Sequence, residues 1–122
     1  MMKSMFYLSA LISMLLLSNC NKDSFVSEDE IPQWLKERII EDEAIIDSAP
    51  KLLPNYGAWI RYKYKKDFYF EYDNPLSSVM LEVYDYEGDG FDFYDDALIK
   101  AYQDDKCCKR YVWKAPEYLE FN

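Results

Sequence analysis

Three groups of side chains in this sequence have the types and spacing to do chemistry. The first is acidic. Asp85, Glu87, Asp89 and Asp96 fall at positions one, three, five and twelve of a calcium-loop frame, with Gly90 at position six. Calcium takes several hard oxygen ligands on a sharp turn, and this stretch offers both. Three features differ from the frame: Asp92 stands where an apolar residue is wanted, Asp96 has a shorter arm than the usual closing glutamate, and the stretch before the loop reads as a strand and not a helix. The alternative is a glycine hairpin with acids on its solvent face. The second group is Cys107-Cys108. In an oxidising compartment two thiols seldom stay free, and neighbours can close only a small strained ring. Such a ring would be labile and open to redox exchange. On a strand the two side chains point to opposite faces, so a buried cysteine beside a spare one is a second reading, and an intermolecular bridge a third. The third group is Trp59 with Arg61, Lys63 and Lys65, and Lys66 beside them. A basic strand face with interleaved rings can hold anionic glycans or nucleic acid. Its plain alternative is a solvated face whose lysines discourage edge pairing.

What is missing narrows the chemistry further. The chain has no histidine. Serine–histidine and cysteine–histidine nucleophilic mechanisms are therefore closed, as are zinc sites that need imidazole. The many carboxylates would permit a paired-acid hydrolase, but no spacing picks out a pair, and a chain of 122 residues has little material for a cleft. The reading is therefore non-enzymatic, with a small hydrolase as a remote alternative and calcium the one cofactor considered. Asp and Glu number 23 against 14 Lys and Arg, a net charge of −9. Such a balance disfavours nucleic acid and anionic lipid headgroups as partners. The 12 tyrosines, 7 phenylalanines and 3 tryptophans suit a small domain that must bury much area per residue. Their other use would be a stacking surface for sugars or peptides.

These groups need elements to position them. Pro32 opens an amphipathic helix over 31–47, with Ile31, Trp34, Leu35, Ile39, Ile40, Ile45 and Ile46 as its apolar stripe. Residues 58–65 alternate as a strand, with Ile60, Tyr62 and Tyr64 inward and the basic residues outward. Lys66-Asp67 reads as a turn into a second strand over 68–72, with Phe68, Phe70 and Tyr72 on one face. A third strand over 79–84 has Val79, Leu81 and Val83 inward. Gly88 and Gly90 reverse the chain into a fourth over 91–94. Asp95 or Asp96 caps a short helix over 97–102, with a strand as the alternative. Asp104-Asp105-Lys106 is a loop, 107–114 a last strand, and Pro116 ends it. The expected architecture is α+β: one N-terminal amphipathic helix packed on an antiparallel meander of about four to six strands.

The start of the chain is different in kind. Lys3 precedes an apolar run over 6–17, broken only by Ser9 and Ser13, which is too short to span a bilayer and suits a signal peptide. The run closes on Leu17-Ser18-Asn19-Cys20, which resembles the lipobox of bacterial lipoproteins. Leu17 and Ser18 match the pattern, while Asn19 stands where Gly, Ala or Ser is usual. The resemblance implies cleavage before Cys20 and lipid on that cysteine, so that the mature protein is exported and held on a bacterial membrane. A secretory signal with a free cysteine and an uncleaved anchor are the other readings. The organisation expected is a signal peptide over 1–19, a flexible acidic tether over 20–30 and one domain over 31–122. Loss of the leader takes the net charge to about −10.

Three short motifs carry a further resemblance. Ile31-Pro32-Gln33-Trp34-Leu35-Lys36, Tyr84-Asp85-Tyr86-Glu87-Gly88 and Val112-Trp113-Lys114 look like those of a group of short, uncharacterised lipoproteins of Bacteroidetes-type bacteria. Members of that group carry more cysteines, with a pair at the place where this chain has Asp73-Asn74-Pro75. The resemblance implies a fold and an address, and no activity. The function expected is a membrane-anchored binding or structural module of the cell envelope. Its partners would be the lipid bilayer through Cys20 and an envelope protein or glycan. A calcium- or redox-responsive module is the alternative.

Overall fold

A computed structural model describes residues 25–77, 81–91 and 95–120. The leader, the lipobox cysteine and the strand expected over 91–94 fall wholly or mainly outside these residues. The elements run α1 (Gln33–Ser48), β1 (Ala58–Tyr64), β2 (Asp67–Asp73), β3 (Glu82–Asp85), α2 (Asp96–Asp105) and β4 (Cys107–Lys114). Helix and antiparallel sheet make an α+β fold, and the sheet has four strands in the order β3-β2-β1-β4. β1, β2 and β3 form a meander. β4 does not extend it but returns to pair with β1, the spatial order of a Greek key.

Local chemistry explains each element. Pro32 sits at the N-cap of α1, where a missing N–H costs nothing. β1 and β2 are joined across Lys65 and Lys66, with Lys65 in the left-handed region at φ 58°, so the reversal comes one residue earlier than Lys66-Asp67. Gly88, at φ 91°, turns the chain after β3. A Cβ there would stand 3.1 Å from the Trp34 ring, so the turn rests on α1 at a place where a side chain would crowd it. Asp95 caps α2, its carboxylate accepting the Leu98 N–H at 3.0 Å. The expected helix is right in kind and runs on through Asp104 and Asp105.

Both faces of the sheet are covered, and this corrects the reading of β1. α1 lies over one face, where Leu35 packs with Trp59, Phe70 and Val112. α2 lies over the other, where Tyr102 packs with Tyr64 and Val83. Ile60 and Tyr64 are buried as expected, but so are Trp59 and Arg61 on the opposite face. The stripe of α1 is narrower than its sequence implies. Leu35 and Ile46 are buried, whereas Ile40 and Ile45 are 65% and 41% exposed.

The tether is also shorter than expected. Phe25 forms a parallel bridge with Tyr111, and the Val26 N–H donates to the Tyr111 carbonyl at 2.9 Å. Val26 belongs to the core, and Glu28–Glu30 forms a 3₁₀ turn whose Glu30 reaches Arg61. The acidic composition of 20–30 suggested solvation, yet one valine and one ion pair bring its second half into the fold. They also cover part of the β4 edge, which would otherwise be open.

Candidate functional site

The four residues of the basic strand do not form one surface. Trp59 lies under α1, its indole N–H pointing to the Asp42 carboxylate at 3.4 Å. Partial burial of Asp42, on α1, lifts its carboxyl above the ordinary range, and the hydrogen bond from Trp59 offsets part of that rise. Arg61 is 5% exposed, its guanidinium 4.0 Å over the Phe68 ring and 2.8 Å from Glu30. Only Lys63 and Lys65 reach solvent, and Lys65 belongs to the turn. A stacking platform for bases or sugars needs exposed rings, so these positions do not supply one.

The acidic loop is organised around one carboxylate. Asp85 Oδ1 accepts the N–H groups of Glu87 and Asp89, each at 2.9 Å, and the Asp85 carbonyl accepts from Gly88. This side chain therefore closes a turn, as Asp does where the backbone reverses. Glu87 and Asp89 are exposed beside it, and Asp96 sits in the first turn of α2. Asp92 lies outside the described residues. Among the described residues no three acidic or cysteine side chains converge on one point.

Cys107 and Cys108 are joined to each other by a disulfide, and both are exposed. Cys108 takes φ 65°, unusual for a residue with a Cβ, so alternation is broken and neither sulfur enters the core. The bridge follows directly on a buried polar cluster that sequence reading did not find. Glu71, on β2, is 5% exposed. Its Oε2 accepts the Tyr102 hydroxyl at 2.6 Å and the Lys106 ammonium at 2.8 Å. Lys106 also stands 4.1 Å from the centre of the Tyr62 ring. Burial pushes the Tyr102 phenol far above its ordinary range, and its bond to the Glu71 carboxylate adds to the shift. The cluster pins the C-terminus of α2 to the sheet and fixes where β4 and its disulfide begin. The signal was a lone glutamate between Phe70 and Tyr72 in the otherwise aromatic run 68–72.

An apolar feature lies at the opposite end of the sheet. Tyr56, Pro75, Leu76, Glu117 and Leu119 line a groove of about 250 Å³. Leu76 and Leu119 on its walls are both more than half exposed. The Asn74 amide holds the walls together by donating to the Leu53 carbonyl at 2.8 Å, and the Glu117 N–H donates to Asn55. Three surface features are thus spread over the domain: a disulfide, an acidic turn and an apolar groove. Compared with protein-family models, with curated proteins and with solved structures, the chain matches none.

Proposed function

We propose that this chain is a membrane-anchored lipoprotein of the bacterial cell envelope, serving as a non-enzymatic binding or structural module. The observation that carries the reading is the apolar run over 6–17, introduced by Lys3 and closed by Leu17-Ser18-Asn19-Cys20. The lipid on Cys20 supplies the membrane contact, and the small acidic domain is what the cell displays there. The lack of histidine removes the commonest general acid–base group. Intact-mass measurement of the full chain, expressed with its leader and recovered from bacterial membranes, tests it. The expected mass is that of residues 20–122 plus acyl groups, and Cys20→Ala abolishes both cleavage and acylation. An unmodified Cys20 in the wild-type protein refutes the anchor.

The exposed Cys107–Cys108 bridge favours a second reading, a redox-responsive module of the envelope. A partner dithiol would give two electrons and two protons to the bridge, leaving two thiols here and a disulfide on the partner. Trapping a mixed disulfide with Cys107→Ser or Cys108→Ser in the native envelope tests it, and the absence of any trapped partner from both variants refutes it.

A further inference from the structure

Resting on the lipid-anchor reading, we propose that the apolar end of the domain is seated in the headgroup–acyl boundary of the bilayer that holds Cys20. The reach of the chain argues first. The fold takes hold at Phe25, where the bridge to Tyr111 fixes the backbone. Five residue steps separate Phe25 from Cys20, and an extended chain gains at most about 3.5 Å per step, so Phe25 lies within about 17 Å of the lipidated sulfur's residue. A domain held this closely cannot hover free of the surface, and some face must meet it.

The position of Phe25 selects that face. Its ring is 47% exposed and lies 6.2 Å from Tyr111, which lies 6.0 Å from Tyr118. The next residue, Leu119, is 67% exposed and lines the groove with Leu76 at 60%. The point of entry and the exposed leucines are therefore joined by a chain of aromatic rings, a side-chain type that favours the membrane–water interface. Charge agrees with this placement. β4 carries Lys109, Arg110 and Lys114 and no acid, in a chain whose net charge is −9. Lys114 lies over the Phe25 and Tyr111 rings, 5.7 and 4.0 Å from their centres. Cations flanking exposed apolar side chains favour anionic headgroups. Three acids stand nearby: Glu120 is paired with Lys109, Asp73 accepts the Tyr118 hydroxyl at 2.7 Å, and Glu117 lies on the groove wall. Seated this way, the sheet end that bears Tyr86 and the Cys107–Cys108 bridge faces away from the membrane.

The test uses the full chain isolated from membranes, with acylation of Cys20 checked by intact mass. Leu119→Trp and Tyr86→Trp are reconstituted separately in phosphatidylethanolamine–phosphatidylglycerol vesicles with brominated acyl chains. Over the wild-type background, Leu119→Trp should show emission several-fold more strongly quenched by the brominated lipid than Tyr86→Trp. Adding Leu76→Asp to the Leu119→Trp protein should remove most of that difference. Equal quenching at the two positions in an acylated protein overturns the docking and leaves the anchor standing. So does a Leu119→Trp signal shielded from aqueous acrylamide but untouched by bromine, which would mean that a second copy or a protein partner fills the groove. A chain whose Cys20 is unmodified overturns the anchor and the docking with it.

Discussion

Lys106→Met should unfold this domain at a much lower temperature, although Lys106 belongs to an ion pair no shorter than one nearby. Two Lys–carboxylate pairs involve α2 and the residue after it, both at 2.8 Å. Lys100–Asp104 has side chains 78% and 60% exposed, whereas Lys106–Glu71 has side chains 16% and 7% exposed. Geometry alone would rank them equal, and solvation separates them. An exposed pair is worth at most about 0.5–1 kcal/mol. Removing one partner of a buried pair strands the other, at a cost of about 3–5 kcal/mol. Methionine keeps the apolar stem of Lys106, so most of the loss is electrostatic. Taking about 3 kcal/mol for a site that water can still partly reach, the melting temperature should fall by about 12–20 °C in a domain of this size. Lys100→Met should move it by at most about 2–7 °C. Adding Glu71→Gln to Lys106→Met removes the stranded charge, so the double variant should recover at least about 1.5 kcal/mol relative to the sum of the singles. Circular dichroism melts of the four variants and the wild type give every term. Equal shifts for Lys106→Met and Lys100→Met would show that Glu71 is solvated, and would refute the account of this cluster.

Further consequences follow from the same contacts. The folded state holds the Tyr102 phenol well above its ordinary value of 10.0, so the stability linked to that proton is present below about pH 10 and is lost as pH rises beyond it. Tyr102→Phe should flatten the alkaline fall in melting temperature while costing about 1.5–3 kcal/mol at neutral pH, because the bond it removes ends on a carboxylate; melts at several pH values read both effects. Gly57→Ala would place a Cβ 2.1 Å from the Tyr72 hydroxyl, in a ring already set against Trp59 at 5.2 Å. It should lower stability by about 2 kcal/mol, seen as a lower urea midpoint. Asp95→Ala removes the cap on Leu98 and should cost about 1 kcal/mol in the same assay, with the loss of helical signal confined to α2.

Elements set by local chemistry were legible in the sequence, and elements set by partners were not. Pro32, Gly88 and Asp95 act through their own φ angle, missing N–H or side-chain oxygen, so helix starts and a reversal can be read from them directly. The α+β class follows from the same signals. The place of β4 does not. Nothing within 107–114 says that the strand returns to β1, because that choice depends on α2 crossing the far face and docking through Tyr102 and Lys106. At Cys107–Cys108, period-two alternation predicts sulfurs on opposite faces. The left-handed backbone of Cys108 breaks the period, and the adjacent bridge forms outside the core.

Arg61 shows why period alone misplaced the basic strand. Alternation identifies two faces, but it identifies which one is buried only if water covers the other. Here α1 takes the face assigned to water. An arginine can be buried there because its flat guanidinium has two kinds of partner, a ring beneath and a carboxylate at its rim. Phe68 supplies the first from the next strand, and Glu30 supplies the second from a segment whose composition reads as solvated. A lysine in the same place would present a compact, strongly hydrated charge and could not use the ring in the same way. The misreading of β1 and the misreading of 20–30 are therefore one error. Each half looked like surface because its partner was absent from its own stretch of sequence. Once Val26 enters the core, the chain must cross the rim of the sheet, and Glu30 arrives where Arg61 needs an anion.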